Sequence, residues 1–283
     1  MTEANPATAE ALWAGQSGER WLSNVDRLEE MLEPIGHALI ELAACQPGEQ
    51  IIDVGCGAGA TSILIAQKIG SAGAVTGLDI SPVLVAEATK RAQDLGLENL
   101  KFLLGDAAIA ELPLAQADCL VSRFGVMFFS DPHVAFDNLH GFLKPNGRFA
   151  FACWAPLRQN LWRLEVGNII NAHFPSPTPV PRAPGPFAFD EPLYVQEILR
   201  TAGFKDIKIS PWKSNLCIGG AGSNADSAAK FLLKAMGITQ LPEDLPAEIR
   251  IAIHHELKER LETFETKDGV QMPAAAWLIS TKV

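Results

Sequence analysis

IIDVGCGAGATS, residues 51–62, decides how this chain is read. An apolar run, 51–54, carries Asp53 near its end and then meets Gly55, Gly57 and Gly59 within five residues. Glycines spaced this way remove side chains where a ligand presses on the backbone, and they supply the left-handed φ of tight turns. The segment after them, Ala60 to Ile69, is rich in helix formers. It opens a helix whose free amide groups and dipole favour negative charge. A strand ending in such a turn is where open α/β sheets bind nucleotide-like ligands.

Outward from that turn, apolar runs bounded by turn residues predict strands at 50–54, 74–79, 100–104, 117–122 and 147–154. Helical patterns fall between them. One runs from Pro82 to Leu95, capped by Ser81 and closed by Gly96; another runs from Asp131-Pro132 to Leu143 and stops at Lys144-Pro145-Asn146-Gly147. The alternation predicts an α/β fold built on a doubly wound, mostly parallel sheet. Upstream, Trp13, Trp21, Leu22, Val25, Leu28 and Leu32 recur at helical spacing over 12–31, and Pro34 reads as a first-turn residue of a second helix. Residues 1–10 read as disordered.

Downstream the regularity breaks. Residues 161–174 read as a helix, followed by a dense proline stretch: Pro175, Pro177, Pro179, Pro181, Pro184 and Pro186. Then come a helix at 192–202, a strand at 204–211, helices at 226–236 and 246–264, and a closing strand at 276–282. This predicts a helical leader over 1–49 and a main domain over 50–283. Insertions at about 157–190 and 213–268 would cap the carboxyl edge of the sheet.

Composition narrows the class. A formal charge of −10 with no Lys/Arg cluster argues against a partner held through phosphates, so nucleic acid is not expected. The five cysteines are scattered and lie mostly in apolar runs, the usage of a reducing compartment. The polar, acidic start lacks a secretory pattern, and the apolar runs near 118–129 and 149–157 are too short or interrupted to span a bilayer. A cytoplasmic protein with no membrane partner is expected. No H-E-x-x-H, paired C-x-x-C or carboxylate cluster has metal-ligand spacing, so no metal is expected, and no G-x-S-x-G elbow points to a hydrolase.

Gly55, Gly57 and Ala60 also satisfy G-x-G-x-x-[GA], which is weak evidence for a dinucleotide. Three carboxylates separate the possibilities. Asp53 stands two residues before the first glycine, where it suits a ligand ammonium and would repel a pyrophosphate. Asp79 ends the second strand, placed for ribose hydroxyls. Asp106 ends the third, placed for an adenine amine. An amino-acid zwitterion, a ribose and an adenine, in that order, describe S-adenosylmethionine.

IIDVGCGAGATS, VTGLDIS at 75–81, LLGDAA at 103–108 and LKPNGRFAFACW at 143–154 resemble the successive motifs of class I S-adenosylmethionine-dependent methyltransferases. The flavour is similar to the broad bacterial group around ubiquinone/menaquinone-biosynthesis methyltransferases. The resemblance implies a Rossmann-like, seven-stranded sheet whose last strand runs antiparallel. It also implies that Gly55, Gly57 and Gly59 hold the methionine portion, Asp79 with Ile80 the ribose, and Asp106 with Ala107 the adenine. Backbone at Ser122 and Arg123 would meet the methionine amine. Trp13, Gly15, Gln16 and Trp21 resemble the N-terminal cover of such enzymes.

Methyl transfer needs alignment first, and a base only when the acceptor holds its proton. His133, just past strand four, is the candidate base; His173 lies beside the proline stretch. The chain after strand four, Ser122-Arg123-Phe124-Gly125, lacks the Pro-Pro-aromatic loop that family knowledge associates with nucleobase amino methylation. Phe124, Phe128, Phe129, Trp154, Trp162, Phe174, Phe187 and Phe189 are candidates to line an apolar pocket. The expected activity is methyl transfer to a small, partly apolar metabolite. A non-catalytic S-adenosylmethionine-binding protein and an NAD-dependent oxidoreductase stand as alternatives.

Overall fold

The computed structural model describes residues 9–174, 180–235 and 245–283. The disorder read at 1–10 concerns residues almost all outside that range, and Pro175, Pro177, Pro179 and the helix end at Met236 also lie outside it. Strands β1 (Gln50–Val54), β2 (Ala74–Asp79), β3 (Leu100–Leu104), β4 (Ala117–Arg123), β5 (Leu143–Trp154), β6 (Lys205–Cys217), β7 (Glu265–Thr266) and β8 (Gly269–Lys282) follow in chain order. Helices α1 (Ala9–Ala14), α2 (Gln16–Leu22) and α3 (Val25–Ala43) precede the sheet. Its strands are joined by α4 (Ala60–Ile69), α5 (Pro82–Asp94) and α6 (Pro132–Phe142). After β5 come α7 (Leu161–His173), α8 (Pro192–Thr201), α9 (Ala225–Lys234) and α10 (Ala247–Glu262).

Seven strands stand in the order β3-β2-β1-β4-β5-β8-β6, and short β7 pairs with β8 beside them. β1 to β5 are mutually parallel, while β8 runs antiparallel to both β5 and β6. The chain winds outward through β1, β2 and β3, then returns to start again at β4. Right-handed crossovers therefore send successive helices to both faces, and the switch point falls between β1 and β4. The central strands are buried along most of their length, as expected where helices cover a parallel sheet.

Two sequence expectations need correction near the leader. Pro34 does not begin a helix; it sits inside α3, whose buried stripe of Leu28, Met31, Leu32, Ile35 and Leu39 runs straight through it. An interior proline costs about 3 kcal/mol, less than the burial of several such side chains at roughly 1.5–3 kcal/mol each returns. The break falls instead at Ser23-Asn24. Ser81 occupies the N-cap position of α5, but its side chain makes no capping bond and its buried hydroxyl has no partner. Asp131 does cap α6, accepting from the N–H groups of His133 and Val134 at 3.0 and 3.1 Å.

The second insertion starts differently from its expected form. β6 continues through Cys217, because Pro211 lies on the edge strand, where a missing N–H is tolerated. Trp154, the last residue of β5, pairs with Ala276, which also pairs with Trp212. Residues 213–217 and 269–275 therefore project past the carboxyl end of β5 as a two-stranded ribbon. α9 and α10 pack on each other beside it, and α10 packs on α7. α3 ties itself to this assembly. Arg27 donates to Gly219 O at 2.6 Å and to Ser227 Oγ at 2.9 Å, and Glu30 accepts from the Ala221 N–H at 2.9 Å.

Candidate cofactor site

The β1 turn and the loop after β4 cross at the switch point, backbone against backbone. A Cβ on Gly55 would lie 2.7 Å from Gly125 Cα, and one on Gly125 would lie 2.6 Å from Val54 O. Ser122 Oγ fastens the crossing by donating to Val54 O at 2.7 Å. Gly57, at φ +55°, faces open space, so its glycine character serves the turn and whatever lies against it. Gly59, at φ +87°, precedes α4 and packs on Phe102 and Ala88.

Of the three carboxylates, Asp53 is the most enclosed, with 1% exposure. It accepts from Ser62 Oγ at 2.6 Å, yet burial pushes its pKa up to about 6. Asp79 accepts from the Gly57 N–H at 2.8 Å and the Ser81 N–H at 2.9 Å, which pins the glycine turn to the end of β2. Its pKa is also raised by burial, against the pull of those amides. Asp106 is half-buried and accepts from the Ala108 N–H at 2.9 Å. Ala107 beside it is buried, and its carbonyl accepts from Asn138 at 3.0 Å. Ile80 is half-buried next to Asp79.

A cavity of about 40 Å³ lies under the turn, lined by Asp53, Gly55, Gly57 and Thr61 from the β1–α4 region, Glu29 and Trp21 from the leader, and Arg123. Asp79, Asp106 and Ala107 are not on its wall, and Ser122 is fully buried behind it. Ligand pockets ordinarily enclose roughly 300–1,000 Å³, so this one is closed down by its cover. That cover is α2. Trp21 packs on Val25, Ala58 and Leu84, while Gly18 lies so close to Ser81 that a Cβ there would overlap its hydroxyl. Trp13 adds edge-on contacts to Trp21 and Phe128 at 5.7 and 5.1 Å.

A mononucleoside carrying an amino acid suits these residues chemically: a Cβ-free cradle at Gly57, backbone amides at the start of α4, and acidic groups at three strand ends.

Other residues singled out from sequence lie elsewhere. His133 is exposed in the first turn of α6 and does not line the cavity. His173 pairs with Glu256 at 2.8 Å, joining α7 to α10. Phe124, Trp154, Trp162 and Phe189 are buried; Phe124 takes φ +64° and stacks on Trp154 at 4.2 Å. Phe128, Phe129 and Phe187 are half-buried, and Phe174 is exposed. Two charged cavity residues were not singled out from sequence as side chains. Arg123 carried a signal, a lone charge interrupting an apolar run; Glu29 carried none, being one acid among several on an amphipathic helix.

Comparisons with known proteins bear on the family and the fold. A family model described as a methyltransferase domain matches residues 46–167. Aklanonic acid methyltransferase of Streptomyces sp. (strain C5) is 34% identical over 137 residues, covering 48% of this chain and 62% of that protein. Nocamycin O-methyltransferase of Saccharothrix syringae is 30% identical over 188 residues, covering 63% of this chain and 67% of that one. The chain thus spans about two thirds of the length of these relatives. Among solved structures, the YcgJ protein of Bacillus subtilis shares the fold with a TM-score of 0.57 at 20% identity, covering 87% of this chain and 97% of that one.

Proposed function

The chain belongs to the class I S-adenosylmethionine-dependent methyltransferases, and on that footing we propose that it transfers a methyl group to a small, partly apolar metabolite. One observation carries the cofactor half: three acidic residues at the ends of β1, β2 and β3 flank a glycine turn at the switch point. Bound there, S-adenosylmethionine would supply an electrophilic methyl on a sulfonium ready to leave. Asp53, with Gly55, Gly57 and Gly59, would hold the methionyl end. Asp79 and Ile80 would meet the ribose, and Asp106 and Ala107 the adenine. Trp21 and Ser122 belong to the cover and to the scaffold behind the turn.

The protein's own contribution is positioning. Holding an acceptor about 3–3.5 Å from the methyl lowers the barrier by up to ~7–11 kcal/mol without any proton transfer. The ribbon of β6 and β8, with α7, α9 and α10, would roof the acceptor, excluding water from the transfer. Half-buried Phe128, already in contact with Trp13, would give the acceptor an apolar wall. His133 would act only on an acceptor that keeps its proton until transfer. Five unpaired cysteines, four of them buried, fit a cytoplasmic setting.

Calorimetric titration with S-adenosylhomocysteine, with NAD in parallel, tests the proposal. Micromolar binding of the former alone is expected, followed by methyl transfer in an acceptor screen. Binding of NAD instead would overturn it.

A further inference from the structure

Three charged side chains face the cavity under the glycine turn: Glu29, Asp53 and Arg123. Two are engaged. Glu29 takes both oxygens to Arg91 Nη1 at 2.8 and 2.9 Å, and Asp53 takes the Ser62 hydroxyl. Arg123 has no hydrogen bond and no ion pair within 4 Å among the described residues, and feels Glu29 and Asp53 only at longer range. The fold makes room for it all the same. α3 presents Gly36 at this point, where a Cβ would come within 3.2 Å of Arg123 Nη1.

Arg123 is half-buried with its guanidinium facing the cavity, where a charge partly shielded from water favours a partner. Burial pulls its pKa below the ordinary arginine value, and Glu29 and Asp53 offset that only in part. Its planar fork matches a carboxylate with two parallel hydrogen bonds. The neighbouring acids, Asp53 and Glu29, suit a cation instead. A ligand presenting an ammonium and a carboxylate on one carbon would meet both sets.

Resting on the cofactor assignment made above, we propose that the Arg123 side chain binds the α-carboxylate of the cofactor's methionyl end. Asp53 and Glu29 then face the α-ammonium. Arg123 is thus the residue that distinguishes an amino-acid-bearing nucleoside from one that carries only an amine.

The test compares two ligands on wild type, Arg123→Met and Arg123→Lys by calorimetry. The ligands are S-adenosylhomocysteine and its decarboxylated form, which keeps the ammonium. Wild type is expected to prefer the former, and Arg123→Met to lose about ten- to hundredfold for it while binding the decarboxylated ligand within about threefold of wild type. Arg123→Lys keeps the charge without the fork and should fall between; it also supplies the readout if the methionine variant fails to fold. Equal losses for both ligands, or no loss for S-adenosylhomocysteine, would overturn the assignment of Arg123 alone. A folded wild type that binds neither overturns the cofactor assignment and this one with it.

Discussion

Replacing Asp53 by asparagine should make the empty protein less sensitive to pH while weakening its site. The carboxyl has an ordinary pKa of 3.8 and is pushed up to about 6 in the fold by burial. The folded state therefore binds this proton more tightly than the unfolded chain does. The stabilisation is complete below the unfolded value and is lost as pH rises through about 6. The full gap corresponds to about 3 kcal/mol, and about 2 kcal/mol of it falls between roughly pH 4.5 and 7.5. Asparagine can still accept from Ser62 through its carbonyl, and it does not titrate. Any fixed cost of its new amide donors cancels when the two pH values are compared. The variant should thus gain about 2 kcal/mol on wild type across that interval, or roughly 3–4 °C in melting temperature for a chain of this size. Urea or thermal unfolding at both pH values measures it, and parallel profiles for the two proteins would refute the argument. The same substitution should weaken S-adenosylhomocysteine binding at least tenfold, since the ammonium loses a charged partner. In wild type, binding near pH 6 should release a proton, seen as a dependence of the binding heat on buffer ionisation.

Asp79→Ala should lower S-adenosylhomocysteine affinity by tenfold or more in a folded protein, because it removes both the ribose acceptor and the anchor of the Gly57 N–H. Unchanged calorimetric affinity would sink the ribose assignment. Gly18→Val places a Cβ 2.6 Å from Trp13 O and against Ser81, so α1 and α2 should lift from α5. Hydrogen exchange over 9–22 should speed up without global unfolding, and unchanged protection would show that the cover yields in another way. His133→Ala should leave turnover within about twofold, given the exposure of that side chain and a reaction governed by alignment. A loss of a hundredfold would make it the base.

The order of elements through β5 was legible because each strand there is a short apolar run closed by turn residues, and each helix carries its own period. The local pattern likewise places Asp53 and Asp79 at strand ends and Asp106 just past β3. What escaped depended on contacts distant in sequence. Pro34 looked like a helix start because interior proline is disfavoured, and only the buried stripe beneath α3 overrides that preference. Pro211 looked like a strand end until β6 proved to be the sheet edge. Ser81 had the composition of a cap, but Asp79 takes its N–H and α2 buries its hydroxyl.

The succession of ties along α3 has a consequence for redesign. Arg27 and Glu30 grip the turn after β6, Glu29 reaches the cavity under the glycine turn between them in sequence, and Gly36 clears space for Arg123 two turns on. One rigid rod thus serves both as joist for the roof and as wall for the chamber below. On the proposed function, replacing the segment after β6 to change the acceptor would tilt α3 and be felt as altered grip on the methyl donor. A graft that carries positions 27 and 30 together with the 217–268 segment keeps the joint intact, so that segment can be varied without disturbing the cavity under the glycine turn.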